Sequence, residues 1–329
     1  MTEMTPSPSK VAIVGIGLIG RAWANVFARA GWDVALWDEN PEALAAAPAL
    51  VRDSLFELTE HGLVQDPEAG AGRVRAASSL EDAVGDVDFI QENAPERIEI
   101  KTALFERLDS LAPAHCIIAS SASALVASRF TEDLPGRARC VIGHPVNPPH
   151  VIPVVEICGA PWTDRDVIRR ATEIYQSVGQ ETVEIKKEIN GFVLNRMQAV
   201  LLAEAFRLVG EGYVSAEDLD KTIKHGLGRR WSFMGPMETI ELNAPQGIAD
   251  YCNRYSEMLF GLSNTPVEAE IWGEENCQRV ANSWGAAPTQ EFVTQKSVWR
   301  DDRLAALAAY LKKQGAYTAP RSAGKGSEE

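Results

Sequence analysis

Along the first half of the chain, apolar residues come in short unbroken runs separated by helical spacing. Val11–Val14 is wholly apolar, as in a strand buried on both faces of a parallel sheet. The Ala-rich stretch Ala22–Ala30 is helix-prone, and Gly31 stops it. Asp33–Trp37 reads as a second strand ending at Asp38. Val87–Ile90 predicts another strand. Ile98–Leu111 predicts a helix with Ile100, Ala103, Leu104 and Leu108 apolar, and Cys116–Ala119 a strand entering the turn Ser120-Ser-Ala-Ser-Ala124. Strands alternating with helices predict an open α/β sheet, whose ligands bind at the carboxyl ends of the strands.

From Ile189 onward strand signals stop. Phe192, Met197, Leu201, Ala205 and Leu208 form one apolar stripe at helical spacing. Ser215-Ala-Glu-Asp218 predicts a capping box, with its helix ending at Gly226. Gly235-Pro236 opens a further helix, and a long one is expected over Trp299–Lys313.

One motif sharpens the first half. Gly15-x-Gly17-x-x-Gly20 lies between the first strand and the first helix, with Asp38 at the end of the second strand. Gly15 permits a tight turn, Gly17 lets backbone approach a pyrophosphate, and Gly20 lets helix and strand pack closely. The helix start, with Leu18 and Ile19, offers amides to the phosphates. Asp38 suits the ribose hydroxyls and repels a 2′-phosphate, and no Arg is adjacent in sequence, so NAD is favoured over NADP. Taken alone, Asp38 also fits a surface turn. The expected fold is α/β: a Rossmann-like NAD-binding domain with a mainly parallel sheet over 1–189, then an all-helical domain over 190–329, with the substrate cleft between them.

Composition narrows the partners. The apolar share of 45% suffices for a real core, while the formal charge is −14 with no Lys/Arg block. That argues against nucleic acid and anionic membrane surfaces. The five Cys are scattered, without a Cys-x-x-Cys pair, so neither zinc nor a disulfide framework is expected, and a reducing, cytoplasmic setting fits. No His/Asp/Glu cluster has metal-ligand spacing, so no metal is expected. No run reaches the length of a membrane span. Met1–Ser9 and the segment from Ala319 read as loose tails, the first without signal-peptide features.

A second constellation carries chemistry. His144 sits in Gly143-His-Pro-Val-Asn-Pro-Pro149, between the apolar runs Cys140–Ile142 and Val154–Ile157. A proline-rich loop cannot continue a helix, so the chain is expected to leave one strand and return as another. An antiparallel return would set His144 beside Glu156, and a carboxylate beside an imidazole makes a general base working near neutral pH. Taken alone, such a pair is more often a loop histidine and an unrelated strand glutamate.

Together with Glu92-Asn-Ala-Pro-Glu96, Ser120–Leu125, Val155-Glu156 and Gly191-Phe-Val-Leu-Asn-Arg196, these motifs resemble the 3-hydroxyacyl-CoA dehydrogenase family over nearly the whole chain. Gly226-Leu-Gly-Arg-Arg230, Gly235-Pro-Met-Glu-Thr239 and Tyr251-Cys-Asn-Arg-Tyr-Ser-Glu257 make its lambda-crystallin / L-gulonate 3-dehydrogenase branch the nearer likeness. The resemblance implies that His144 is the base and Glu156 its partner, with Ser123 and Asn195 holding the reacting oxygen. It implies that Glu96 and Lys101 line the nicotinamide-ribose end of the cofactor, that Asn147 supports the site, and that the helical domain forms a homodimer. Without it, Ser123 reads as a turn serine, Lys101 as solvated on its helix, and Asn195 as equally a solvent-facing residue.

The expected activity is NAD-dependent oxidation of a small L-3-hydroxy acid, with L-gulonate the leading substrate. Arg230, with Arg229, is a candidate for binding a substrate carboxylate; a helix-end Arg serving the local dipole is the competing reading. No Lys occurs between 11 and 100, where acyl-CoA members tend to be Lys-rich. A short-chain hydroxyacyl-CoA, carnitine, and a crystallin-like structural role that keeps NAD binding are the alternatives.

Overall fold

The computed structural model describes residues 9–264 and 268–314; apart from Ser9, the tails read as loose lie outside the described residues. By packing, the residues up to Val193 form one compact unit with those from Ser297 on, and Leu194–Lys296 form another.

The first unit alternates as the apolar runs predict. β1 (Lys10–Val14), α1 (Leu18–Arg29), β2 (Asp33–Trp37), α2 (Pro41–Glu60), α3 (Pro67–Ala71) and β3 (Val74–Ala76) build one half. α4 (Leu80–Val84), β4 (Phe89–Glu92), α5 (Ile98–Leu111), β5 (Ile117–Ser120), α6 (Ser128–Thr131) and β6 (Cys140–Pro145) build the other. β7 (Val154–Gly159), α7 (Arg165–Ser177) and β8 (Glu181–Ile185) complete it.

Among the described residues, eight strands run in the order β3-β2-β1-β4-β5-β6-β7-β8. Neighbours are parallel except β6 and β7, which are antiparallel. The order reverses between β1 and β4, and an open α/β sheet binds its ligand outside the carboxyl ends of the strands at such a switch point.

Alternate residues of the inner strands feed two cores. Val11, Ile13, Phe89, Ile117 and Val141 pack on the α1, α2 and α7 side, with Trp23, Phe27 and Tyr175 as the large side chains. Ala12, Val14, Ile90, Ile118 and Ile142 pack on the opposite side with Phe105 and Phe130. This double coverage is why these strands read as unbroken apolar runs rather than alternating ones.

The second unit is helical among its described residues: α8 (Leu194–Gly210), α9 (Ala216–Thr222), α10 (Gly228–Trp231), α11 (Pro236–Glu241), α12 (Gly247–Ser263), α13 (Glu274–Trp284) and the start of α14 (Gln290–Gln314). Ser215 caps α9 through the Asp218 amide, as its motif predicts. The expected stop at Gly226 does not occur, because Ile223–Leu227 forms a π turn that leads directly into α10. Gly226 does not take a positive φ, so it terminates nothing. The long last helix also departs from expectation. Its later part joins the first unit, where Ala305 is buried, Leu304 packs on the core and Asp302 lies 3.0 Å from His61. A single helical domain over 190–329 is therefore corrected for these residues.

Candidate active site

β6 and β7 pair antiparallel with His144 directly opposite Glu156. Glu156 Oε2 lies 2.8 Å from His144 Nδ1, and both side chains are buried. A carboxylate at Nδ1 accepts its proton and leaves Nε2 as the basic nitrogen. Glu156 Oε1 accepts a second hydrogen bond, 2.9 Å, from the Val193 amide. Fully buried Phe192 packs on the imidazole, with ring centroids 5.4 Å apart.

The Ser-rich turn leaves β5 nearby in the sheet. Glu96 gathers it: its carboxylate accepts from the Ser123 hydroxyl, from Ser123 N at 3.0 Å and from Leu125 N at 2.8 Å, as well as from Ala124 N. Burial pushes the Glu96 carboxyl up, but these hydrogen bonds outweigh it and hold the group below its usual range. Asn147 is exposed in the loop after β6.

Lys101 is not solvated on its helix, because the structure leaves it 1% exposed, as part of a buried ion pair. Its Nζ donates to Glu92 at 2.8 and 3.0 Å and to Ser120 Oγ at 3.2 Å. Glu92 also accepts from the Ala94 amide at 2.6 Å, so the pair fixes the loop after β4 and the start of the Ser-rich turn. A long polar side chain on an otherwise amphipathic helix gives no sequence signal of such burial.

A cleft of about 750 Å³ opens at the switch point, lined by Gly15, Gly17, Trp37, Asp38, Asn93 and Ile100 among others. A Cβ on Gly20 would lie 2.0 Å from Gly15 O, and one on Gly15 would lie 2.8 Å from the Asn93 carbonyl carbon; Gly17, by contrast, faces open space. Two glycines are thus demanded by packing, while at the third packing makes no demand. Asp38 accepts from Ile16 N at 2.8 Å and Asn40 N at 2.9 Å, which fixes its carboxylate at the rim. Leu18 and Ile19 begin α1; Leu18 is exposed and Ile19 packs on the core. These residues fit a dinucleotide: an amide-lined helix start, a bare glycine and a fixed ribose acceptor.

Family comparison agrees with this geometry. Residues 10–189 match the 3-hydroxyacyl-CoA dehydrogenase NAD binding domain, and residues 191–283 match the C-terminal domain of the same enzymes. The chain belongs to the 3-hydroxyacyl-CoA dehydrogenase family. It is an NAD-dependent dehydrogenase. Lambda-crystallin of Oryctolagus cuniculus is 37% identical over 94% of this chain and 98% of its own length. L-carnitine dehydrogenase of Pseudomonas aeruginosa is 34% identical over 92% and 93%. Among solved structures, 5-formyl-3-hydroxy-2-methylpyridine 4-carboxylic acid 5-dehydrogenase, an NAD+-dependent dismutase, superposes with a TM-score of 0.81 at 29% identity, covering 93% of this chain and 99% of that one.

Two of the expected site residues lie in the second unit. Asn195 is half-buried in the first turn of α8, and Arg230 is exposed on the short helix α10. The sequence reading missed a buried polar chain behind the sheet ends. Tyr175 donates to Gln91 at 2.6 Å, Gln91 to Ser121 at 2.7 Å, and Ser121 to Asn93 at 2.7 Å. The available signal was Gln91-Glu92 itself, two polar residues closing an apolar strand. It also missed Arg107, which α5 brings into the cleft opposite Glu39.

Proposed function

We propose that this dehydrogenase oxidises the 3-hydroxyl of a small free L-3-hydroxy acid, with L-gulonate the first candidate. The observation carrying the free-acid reading is the state of the only arginines between Pro41 and Ser79. Arg52 is paired with Glu68 at 2.9 Å, Arg73 with Asp33 at 2.9 Å and Arg75 with Asp82 at 3.0 Å. Each already has a carboxylate partner, and no lysine occurs between 11 and 100 to meet the phosphates of a CoA thioester. The lambda-crystallin relatives match the branch that the sequence resembles. L-carnitine is the second candidate, because the L-carnitine dehydrogenase relative is 34% identical over nearly its full length and carnitine is likewise a free 3-hydroxy acid.

In this reading bound NAD supplies the hydride acceptor, C4 of its nicotinamide. Gly15, Gly17, Leu18, Ile19, Gly20 and Asp38 hold it, and Glu96 borders its nicotinamide-ribose end through the Ser-rich turn. Lys101 supports that turn from beneath. His144 Nε2 takes the hydroxyl proton, and Glu156 stabilises the imidazolium that forms. Ser123 and Asn195 hold the reacting oxygen, so that charge develops against fixed donors. Asn147 borders the site from the loop after His144. Arg230, with Arg229, forks onto the substrate carboxylate; neither has an ion-pair partner within 4.0 Å among the described residues.

The protein works as a homodimer in this reading. The second unit leaves Met197, Val200, Phe260 and Leu262 each more than 60% exposed, an apolar surface that a second copy would cover. Of the apolar stripe, Phe192 is fully buried and Ala205 and Leu208 half-buried, while Met197 and Leu201 stay exposed in a single chain. All five thiols are free, which supports a reducing cytoplasmic setting.

The test is initial NADH production with NAD and a panel of L-gulonate, L-3-hydroxybutyrate, L-carnitine and 3-hydroxybutyryl-CoA. Turnover of a free acid with little of the thioester supports the reading. Turnover of the thioester alone overturns the substrate class and leaves the roles of His144 and Glu156 standing. Arg230→Met should raise KM strongly for the free acid, and an unchanged KM removes Arg230 from the site. Light scattering on the purified protein checks the dimer.

A further inference from the structure

Asp38, Glu39, Glu99 and Arg107 are the charged residues lining the cleft, and only Asp38 has a role so far. Glu39 follows Asp38 directly, and Arg107 reaches the same cleft from α5. Arg107 Nη1 lies 3.8 Å from Glu39 Oε1, and its guanidinium stands 5.6 Å from the ring centroid of Trp37, the residue preceding Asp38. A guanidinium is the side chain best shaped to fork a phosphate. Beside the ribose acceptor of a nucleotide cleft, it would favour a 2′-phosphorylated cofactor.

We infer that Glu39 determines cofactor selectivity by engaging Arg107, so that the guanidinium is withheld from a 2′-phosphate. The inference rests on NAD occupying this cleft with its ribose at Asp38. At 3.8 Å the contact is longer than a hydrogen bond, so Glu39 acts as a neighbouring charge and not as a rigid clamp. Both side chains are substantially exposed, 81% for Glu39 and 47% for Arg107, and such pairs exchange partners readily. To gain Arg107 a 2′-phosphate must therefore displace Glu39, and the cost of separating the pair is what lowers its affinity. A 2′-phosphate that draws Arg107 away from Glu39 is left beside two carboxylates, with Asp38 held in place by the Ile16 and Asn40 amides. A 2′-hydroxyl has no such conflict.

The decisive experiment is competition binding, read by the fluorescence of bound NADH as NAD or NADP displaces it. It is run on the wild type, Glu39→Gln, Arg107→Leu and the double variant. Glu39 and Arg107 are exposed, so none of these changes disturbs the core. Glu39→Gln should shift the NADP-to-NAD affinity ratio toward NADP by about tenfold, the size of one charge–charge contact at a protein rim. The double variant should return the ratio to the wild-type value or below. If Glu39→Gln leaves the ratio unchanged, the inference fails. If the shift persists in the double variant, Arg107 is not the phosphate's partner and the inference fails equally. If NADH does not bind the wild type at all, it is the cofactor reading that falls.

Discussion

Phe192 packs on the ring of His144 with a backbone φ of 48°, in the left-handed region that a bulky residue seldom takes. Gly191 before it has a φ of 75°, so two successive left-handed residues turn the chain. The turn brings the Val193 amide to Glu156, and Glu156 in turn holds His144. A left-handed conformation costs an L-residue about 1–2 kcal/mol, so the surrounding packing must impose it. Phe192→Ala should cost about 3 kcal/mol of stability in urea unfolding. It should also lower kcat more than it raises KM, because the base loses its orientation. A variant with wild-type stability would show that the ring does not fix this turn.

His144 and Glu156 should separate by degree. His144→Ala removes the base and should reduce kcat/KM by about 10²–10⁴-fold. Glu156→Gln keeps an acceptor near Nδ1 but not the negative charge, so its loss should be smaller and should appear mainly in kcat. NADH binding, followed by fluorescence, should survive both changes. Undiminished turnover in His144→Ala would remove that residue from the chemistry.

The glycines offer a test in which folding and binding part company. A methyl group on Gly17 meets no heavy atom within 4 Å, whereas one on Gly20 meets Gly15 O at 2.0 Å. Gly17→Ala should therefore unfold at the wild-type temperature yet weaken NAD binding by about tenfold or more, because the methyl stands where the pyrophosphate approaches. Gly20→Ala should lower the unfolding temperature directly. Equal NAD affinity in Gly17→Ala would mean that the backbone does not approach the phosphates there.

Most of the fold was legible because its signals are local. The glycine triplet, the apolar runs around it and the proline loop between β6 and β7 each constrain their own segment, and the register of His144 against Glu156 followed from a short antiparallel return. What stayed hidden depends on contacts between distant segments. Lys101 reads as an ordinary helix-surface lysine until β4 and β5 bring Glu92 and Ser120 to it. Arg107 is far in sequence from Glu39, so the absence of a neighbouring arginine did not reveal the one in the cleft. The π turn at Ile223–Leu227 defeated the expected stop because a glycine ends a helix only where the chain takes its left-handed conformation.

The Lys101–Glu92 pair yields a prediction of its own. Breaking a buried pair leaves an uncompensated charge, at a cost of about 3–5 kcal/mol. Lys101→Met should be destabilised by that amount. Adding Glu92→Gln should recover part of the loss by removing the stranded carboxylate. Urea unfolding of the wild type and both variants checks this, and no recovery in the double variant would show that packing rather than charge dominates.

His150 should make stability depend on pH. Burial, reinforced by the nearby Arg29 cation and opposed by Asp301, lowers its pKa from 6.5 to about 4. Its Nδ1 has no hydrogen-bond partner among the described residues, while its backbone carbonyl accepts from Arg29 at 2.7 Å. The folded state keeps this imidazole neutral while the unfolded chain protonates it, so the unfolded state binds more protons between the two values. The stabilisation is present in full above pH 6.5 and is lost as pH falls toward 4, a contribution of about 3 kcal/mol at most. His150→Gln removes the titrating group. Between pH 7 and pH 4.5 the wild type should therefore lose about 2 kcal/mol more unfolding free energy than the variant. Parallel losses in the two proteins would show that His150 titrates alike in the folded and unfolded states.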